Sequence, residues 1–225
     1  MGILGFKYGV EEYKPMGGLV GVVCALLMVM GVGAGGGLVW RVMGWAHWEW
    51  WVMGVAGVGV LGIWVLMWWG VRVYENVRGL GAKRLFFDGD WLIWTWLLPG
   101  LNGVGLPLMV MEWWRGSVPN EGVSDGHAWR WSRWGRKVWC FGVMWWLTHF
   151  AGGCWMVSFV LDDGFSETLR GWSEYGLLVG LCGACLIGVV VVVDIEWRQR
   201  ARFAAREAYL VAAKEKYGEV FERMG

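Results

Sequence analysis

Charge is the first thing this chain of 225 residues is short of: 20 Lys and Arg and 19 Asp and Glu make up only 17% of it, where a soluble domain carries about a quarter. The shortfall is concentrated in long stretches with no charge at all. Those stretches reach the ~20 residues needed to cross ~30 Å of hydrocarbon, which excludes an ordinary soluble fold. A net charge of +1 supplies no field to draw nucleic acid or an acidic partner. Ile, Thr, Gln and Asn are sparse beside Val, Gly and Trp, as when one apolar residue replaces another wherever lipid is the surroundings. The opening MGILGFKYGVEEYKP has no apolar core behind a basic start and carries Glu11 and Glu12, so it does not read as a signal peptide. It is not rich in Arg and Ser like a transit peptide, and Phe6 stands where a myristoylation site wants Ser or Thr. There is no phosphate loop, nucleophile elbow, metal-binding His-Glu pair or pair of carboxylates within an apolar run, so no positive argument for an enzyme arises.

What is present points one way. Hydrophobic residues make 57%, with 38 Gly and 22 Trp; glycine is commoner in membrane helices than in soluble ones, and tryptophan settles at the headgroup level. Four runs read as spans at about 17–40, 48–70, 138–161 and 175–193. Trp40, Trp48, Trp50 and Trp51 cluster at one expected interface, Trp68 and Trp69 at the other. The expected class is an all-α, multi-pass integral membrane protein.

The segment 91–114, WLIWTWLLPGLNGVGLPLMVMEWW, is long enough to span, but its centre is LPGLNGVGLP. Pro99 and Pro107 each remove a backbone donor, and Gly100, Gly103 and Gly105 loosen the rest. Two half-helices entering and leaving on one side fit better. Lys and Arg in short loops stay on the cytoplasmic side, and their distribution agrees. If 91–114 spans, giving five spans, the two sides carry 13 and 7 basic residues; if it re-enters, they carry 18 and 2. The reading is therefore four transmembrane helices, a re-entrant or interfacial hairpin at 91–114, and both termini on the cytoplasmic or matrix-equivalent side. Residues 1–16 form an inner segment and 17–194 the transmembrane domain. Residues 195–225 are read as an amphipathic helix, continuous with the last span and projecting from the membrane.

That tail is rich in Ala, Glu, Arg and Lys, with helix-supporting pairs at Asp194/Arg198, Glu196/Arg200 and Glu219/Arg223. Phe203, Leu210, Tyr217 and Met224 recur every seven residues and are the candidate partner-docking positions. Arg198, Arg200, Arg202 and Arg206 also suit anionic headgroups.

Among single residues, His149 is the one ionisable side chain deep in an expected span, which makes it a candidate for proton handling or for binding a ligand such as a quinone. Thr148 or a backbone carbonyl would equally satisfy it as a packing residue. A haem would want a second axial ligand at that depth, and His47 and His127 lie in loops. Cys24, Cys140, Cys154, Cys182 and Cys185 all fall in expected spans; Cys182 and Cys185 lie one turn apart with no second ligand pair, which fits small packing residues rather than zinc or redox chemistry. Gly33 with Gly37 and Gly176 with Gly180 have the spacing of close helix seams. Asp162, Asp163, Gly164, Phe165, Ser166 and Glu167 lack the ligand spacing of a calcium loop and read as a solvated turn. No catalytic residue, metal or cofactor is expected. The expected partners are the bilayer, other membrane subunits and further copies of the chain. The leading expectation for function is a non-catalytic accessory or scaffold subunit of a larger membrane complex. The alternatives are a small channel or transporter using Asn102, Pro99 and Pro107 of the hairpin, or an enzyme or quinone-linked subunit using His149.

Overall fold

The long apolar runs fold as long helices. The computed structural model describes residues 13–44, 48–80, 82, 85–87, 89–117, 135–160 and 164–224. Among these all regular structure is helical: α1 (Gly17–Val42), α2 (Trp48–Gly79), α3 (Gly89–Leu97), α4 (Pro99–Gly116), α5 (Arg136–Ser158) and α6 (Gly164–Met224). Three stretches are long and apolar enough to cross a membrane: Gly17–Val42, Gly57–Gly79 and Phe165–Tyr209. α5, with 23 residues, is about 34 Å long. Two cations at its start, four tryptophans, three glycines and His149 dilute its hydropathy, and it is not among the three.

Contacts at the helix ends fix the arrangement. Lys137 of α5 meets Asp194 of α6 at 3.8 Å, and Arg170 reaches Ser158, so α5 and α6 are antiparallel. Arg41 at the end of α1 pairs with Glu174 at 3.2 Å while Gly17 at its start lies beside Arg200, so α6 also opposes α1. Trp51 near the start of α2 donates to the Gly33 carbonyl of α1. Lys14, just before α1, pairs with Asn76 near the end of α2. One end of the bundle, the base, gathers Lys14, Asn76, Lys137 and residues 194–206. The other, the crown, gathers Arg41, Trp51, Ser158 and Glu174.

Between α2 and α5 the chain makes a hairpin. Leu98 is extended (φ −100°, ψ 108°) and Pro99 takes the first helical position of α4, where a missing N–H leaves no bond unmade. α3 folds back along α4, with Thr95 against Gly105 and with Leu92 and Trp113 both against Gly70. The end of α4 is at the base, where Gly116 lies against Val77 and Trp114 donates to Asp194. Gly103, in the second turn of α4, is beside His149, twelve residues or about 18 Å above Lys137 along α5. The turn at Leu98–Pro99 lies further from the base still, since the 18 residues of α4 span about 27 Å against about 34 Å for α5.

Three features differ from the sequence reading. Pro107 does not end a half-helix: it lies inside α4 and packs against Gly142 of α5. α6 starts at Gly164 rather than near 175, and α2 runs on to Gly79. Residues after Asp194 do not form a separate arm at once, because Ile195, Glu196, Gln199 and Arg202 are all buried against the other helices. The run of α6 to Met224 in a single element of 61 residues, about 90 Å, agrees with the expected continuation of the last span.

Apolar side chains lose little by facing lipid, so helices in a membrane are held by close packing and by hydrogen bonds. Both are visible. α6 lays Cys182 and Cys185 onto Gly35 and Gly31 of α1, which accounts for the C-x-x-C as packing. On its α5 side, Gly176 meets Ala151 and Gly180 meets Thr148. The core they enclose includes Val23, Val73, Leu92, Met109, Trp113 and Ile195.

Candidate functional site: the base lock and the hairpin tip

Among the described residues buried polar groups collect at the crown, with Ser158, Ser166, Ser173 and Glu174, and at two further places. At the base, Asn76 of α2 receives the Lys14 N–H at 2.9 Å and donates to the Lys14 carbonyl at 3.0 Å, a two-point grip on extended backbone. The same amide donates to Gln199 of α6 at 3.2 Å, and Gln199 donates to the Val73 carbonyl. One helical turn further, Arg202 donates to the Gly116 carbonyl, and Arg206 to the Gly79 carbonyl. Two arginines four residues apart on α6 thus each cap the C-terminus of a different helix, α4 and α2. Helix C-termini carry unpaired carbonyls and a partial negative charge, so a guanidinium there is favoured twice over.

The rest of the base completes the closure. The buried Glu112 carboxylate accepts from the Phe86 and Phe87 N–H groups and fixes the connection into α3. Asp194 accepts from Trp114 Nε1 at 2.7 Å and from Arg198 at 3.2 Å, with the Arg198 guanidinium lying over the Trp114 ring. Glu196 accepts from Arg200 at 2.7 Å. Tyr13 stacks on Phe203 with ring centroids 4.7 Å apart. Burial, and then the Glu196 carboxylate, push the Tyr13 hydroxyl above its ordinary pKa range.

The second place is the hairpin tip. Trp145 Nε1 donates to the Asn102 carbonyl at 3.0 Å, and Gly103 lies against the His149 side chain. His149 Nδ1 is 3.0 Å from the Trp145 carbonyl, so that nitrogen carries the proton and donates; the imidazole also packs on the Trp145 ring at 4.9 Å. Asn102 is buried, and its Oδ1 has no hydrogen-bond partner among the described residues. Below the tip, the bundle centre closes around a cavity of about 40 Å³ lined by Leu27, Trp69, Val110, Phe141 and Cys185.

The sequence-predicted residues separate accordingly. Asn102 and Gly103 lie beside Trp145 and His149 at the tip, with Pro99 at the start of the same helix and Pro107 two turns from Pro99 within α4. Gly176 and Gly180 face α5. Gly33 and Gly37 accommodate Trp51 of α2, Gly37 also lies against Leu178 of α6, and Gly31 and Gly35 meet Cys185 and Cys182 of α6. Phe203 is taken up by Tyr13, and Arg202 and Arg206 point at carbonyls rather than at headgroups. The side chains of Leu210, Tyr217 and Met224 lie outside the described residues, as do His47, His127, Asp162 and Asp163. Asn76, Gln199 and Glu112 were not singled out in the sequence; buried amides and an acid flanking apolar runs were the available signal.

Among the described residues no group of three or more His, Cys, Asp or Glu is placed to hold a metal ion. The geometry gives His149 Nδ1 a partner in the Trp145 carbonyl. His149→Leu is expected to leave the amount of folded protein and its migration on native gels unchanged, since the lost bond to a helix carbonyl that already has an i+4 donor is worth about 1 kcal/mol or less. A collapse of assembly in that variant would return His149 to the list of functional groups. No family model, curated protein or solved structure matches the chain.

Proposed function

We propose that the chain is a non-catalytic structural subunit of a larger membrane assembly, with α1, α2, α5 and α6 as its spans and α3–α4 as a hairpin that enters and leaves on one side. The observation that carries the reading is the use made of the buried polar groups. Asn76, Gln199, Glu112 and Arg202 hold the chain's own helices and connections together at the base. Buried polar groups spent on the chain's own helices support a shape-holding role. Beyond the last anchor at Arg206, α6 continues for 18 residues, about 27 Å, with Tyr209 and Val211 exposed. Exposed apolar residues past a membrane-spanning segment suit contact with another subunit.

The topology rests on the ends of the helices. Gly116 and Lys137, on either side of the segment 117–136, lie at the same end as Asn76 and Arg202. That arrangement supports the sharper charge partition, and on this reading the base faces the cytoplasmic or matrix-equivalent side. Gentle detergent extraction from the native membrane, native gels and mass spectrometry of the co-migrating proteins test the function. A discrete complex with stoichiometric partners is the expected result; a lone chain or homo-oligomer would end the subunit reading.

A channel or transporter is the second reading, favoured by one observation: the unpartnered Oδ1 of Asn102 at a helix break inside the bundle, the kind of place where broken membrane helices bind a permeant species. On that reading Asn102→Leu changes the conductance of reconstituted protein. On the subunit reading there is no conductance to change.

A further inference from the structure

The geometry points to a small cluster of bound water in the cavity at the bundle centre, held by the indole N–H groups of Trp69 and Trp113. The inference stands apart from the subunit reading and needs none of it. Trp69 is 4% exposed and Trp113 1%. Both Nε1 atoms are buried, and neither finds a hydrogen-bond partner among the described residues. An indole nitrogen can only donate, so each lacks the one kind of partner it can use, and a buried donor without an acceptor is costly.

The two rings belong to one wall. Trp69 of α2 and Trp113 of α4 meet edge to face, with centroids 5.8 Å apart and planes at 85°, and both line the cavity of about 40 Å³. The benzo end of Trp113 is taken up by α2, where its Cη2 and Cζ3 lie against Gly70. The pyrrole edge that carries Nε1 is at the other end of the ring. Trp68 is exposed, as a tryptophan on a membrane helix ordinarily is. The next residue, Trp69, turns its ring into the protein instead.

Size and chemistry select the occupant. A cavity needs about 10–15 Å³ to admit one water, and one walled by hydrocarbon alone stays dry. This one is several times that minimum, and its wall of Leu27, Val110 and Phe141 is interrupted by the two tryptophans and by Cys185. Water accepts from both indoles, donates to the thiol sulfur, a weak acceptor, and bonds to its neighbour in the cluster. A buried water thereby gains the several polar partners it requires. An anion would use the same donors, but among the described residues no cationic side chain lines the cavity to offset its charge. A lipid tail offers the N–H groups no acceptor.

The test uses the full chain in deuterated detergent, with isotope-labelled tryptophan and water as the probe. Trp69→Phe and Trp113→Phe identify the two indole signals. Either suffices, because losing one ring moves the signal of the other across a 5.8 Å contact. Each Nε1 proton is expected to show a nuclear Overhauser cross-peak to water, with the sign of water held on the protein. Gly188→Ala keeps both indoles and narrows the space: its Cβ would come 3.5 Å from Leu27 Cδ1 and 3.5 Å from Phe141 Cε2, ordinary contact on the cavity wall. It is expected to weaken both cross-peaks about twofold or more, since a methyl takes up much of the room for water, and to leave the remaining indole signals in place. If neither phenylalanine variant folds, Gly188→Ala picks out the same two signals by their shift. Absence of the water cross-peak from either wild-type indole overturns the proposal. So does a shift of both signals under xenon pressure, which marks a dry apolar cavity, and so do cross-peaks to acyl-chain protons in place of water.

Discussion

Gly180→Ala is expected to lower the stability of the purified protein by about 1–3 kcal/mol, the range for overpacking a well-filled contact. The added Cβ would come 2.7 Å from Thr148 Oγ1, 2.9 Å from the Thr148 backbone nitrogen and 3.1 Å from its Cα. Two of those three atoms are main chain, so no rotamer change relieves the clash, and α5 must back away from α6 along the seam that also contains Gly176 and Ala151. Two controls separate this from a general effect of substituting helical glycines. Gly183→Ala meets only the flexible Met144 side chain, which can swing aside, and Gly18→Ala meets nothing within 4 Å. The latter is expected to be neutral or to stabilise by up to about 1 kcal/mol through helix propensity. Thermal unfolding in one detergent, followed by circular dichroism, gives the ranking. If Gly180→Ala unfolds with Gly18→Ala, the α5–α6 seam is not as close as described.

Arg202→Met carries the second large effect. The side chain is 1% exposed and donates to the Gly116 carbonyl at the end of α4. Methionine fills much of the same space but leaves that carbonyl, buried at a helix C-terminus, with no donor. Losing a charged hydrogen bond and its helix-end interaction costs about 2–3 kcal/mol. The damage should be local first: the α4 end and residues 85–87, tied to α4 through Glu112, should gain hydrogen exchange before α1 does. Arg202→Lys should recover part of the loss, since an ammonium donates but lacks the planar fork. Arg72→Met removes a half-exposed i,i+3 pair with Glu75 and should cost no more than about 1 kcal/mol. Equal stability of Arg202→Met and Arg72→Met would mean that the α6 arginines do not hold the base.

How much of this was legible beforehand depended on whether the signal was local. Long uncharged runs announce helices because every residue in them votes, and α1 and the apolar middle of α6 fall where those runs are. The break at Leu98–Pro99 was legible for the same reason, as a proline acts on its immediate neighbours. Pro107 was misleading: inside α4 its ring finds room against Gly142, and packing absorbs what local rules penalise. The glycine registers could not be ranked in a chain with 38 of them. Gly33 and Gly37 have the same spacing as Gly31 and Gly35, and only the facing helices decide that the first pair takes Trp51, with Gly37 also on Leu178, while the second meets the cysteines of α6. The base lock left its residue types in the sequence but not their pairing. Asn76 and Gln199 are 123 residues apart and Arg206 and Gly79 are 127 apart, so the arginines of α6 look from the sequence like a solvated or headgroup-facing stripe.

The capping of α2 and α4 by α6 also sets an order of events during synthesis. The chain is made from α1 toward α6, so the hairpin exists before α5 arrives to cover its tip. The carbonyls of Gly116 and Gly79 wait for Arg202 and Arg206, which follow them by 86 and 127 residues. Until then the ends of two helices have no internal donor, and Asn76 lacks Gln199. The earlier helices are therefore incomplete as a folded object until α6 has emerged, and a ribosome that stops after α5 releases a product missing the element that ties the rest together. Quality control has a mark to read, because the arrival of α6 and closure of the base are nearly the same event.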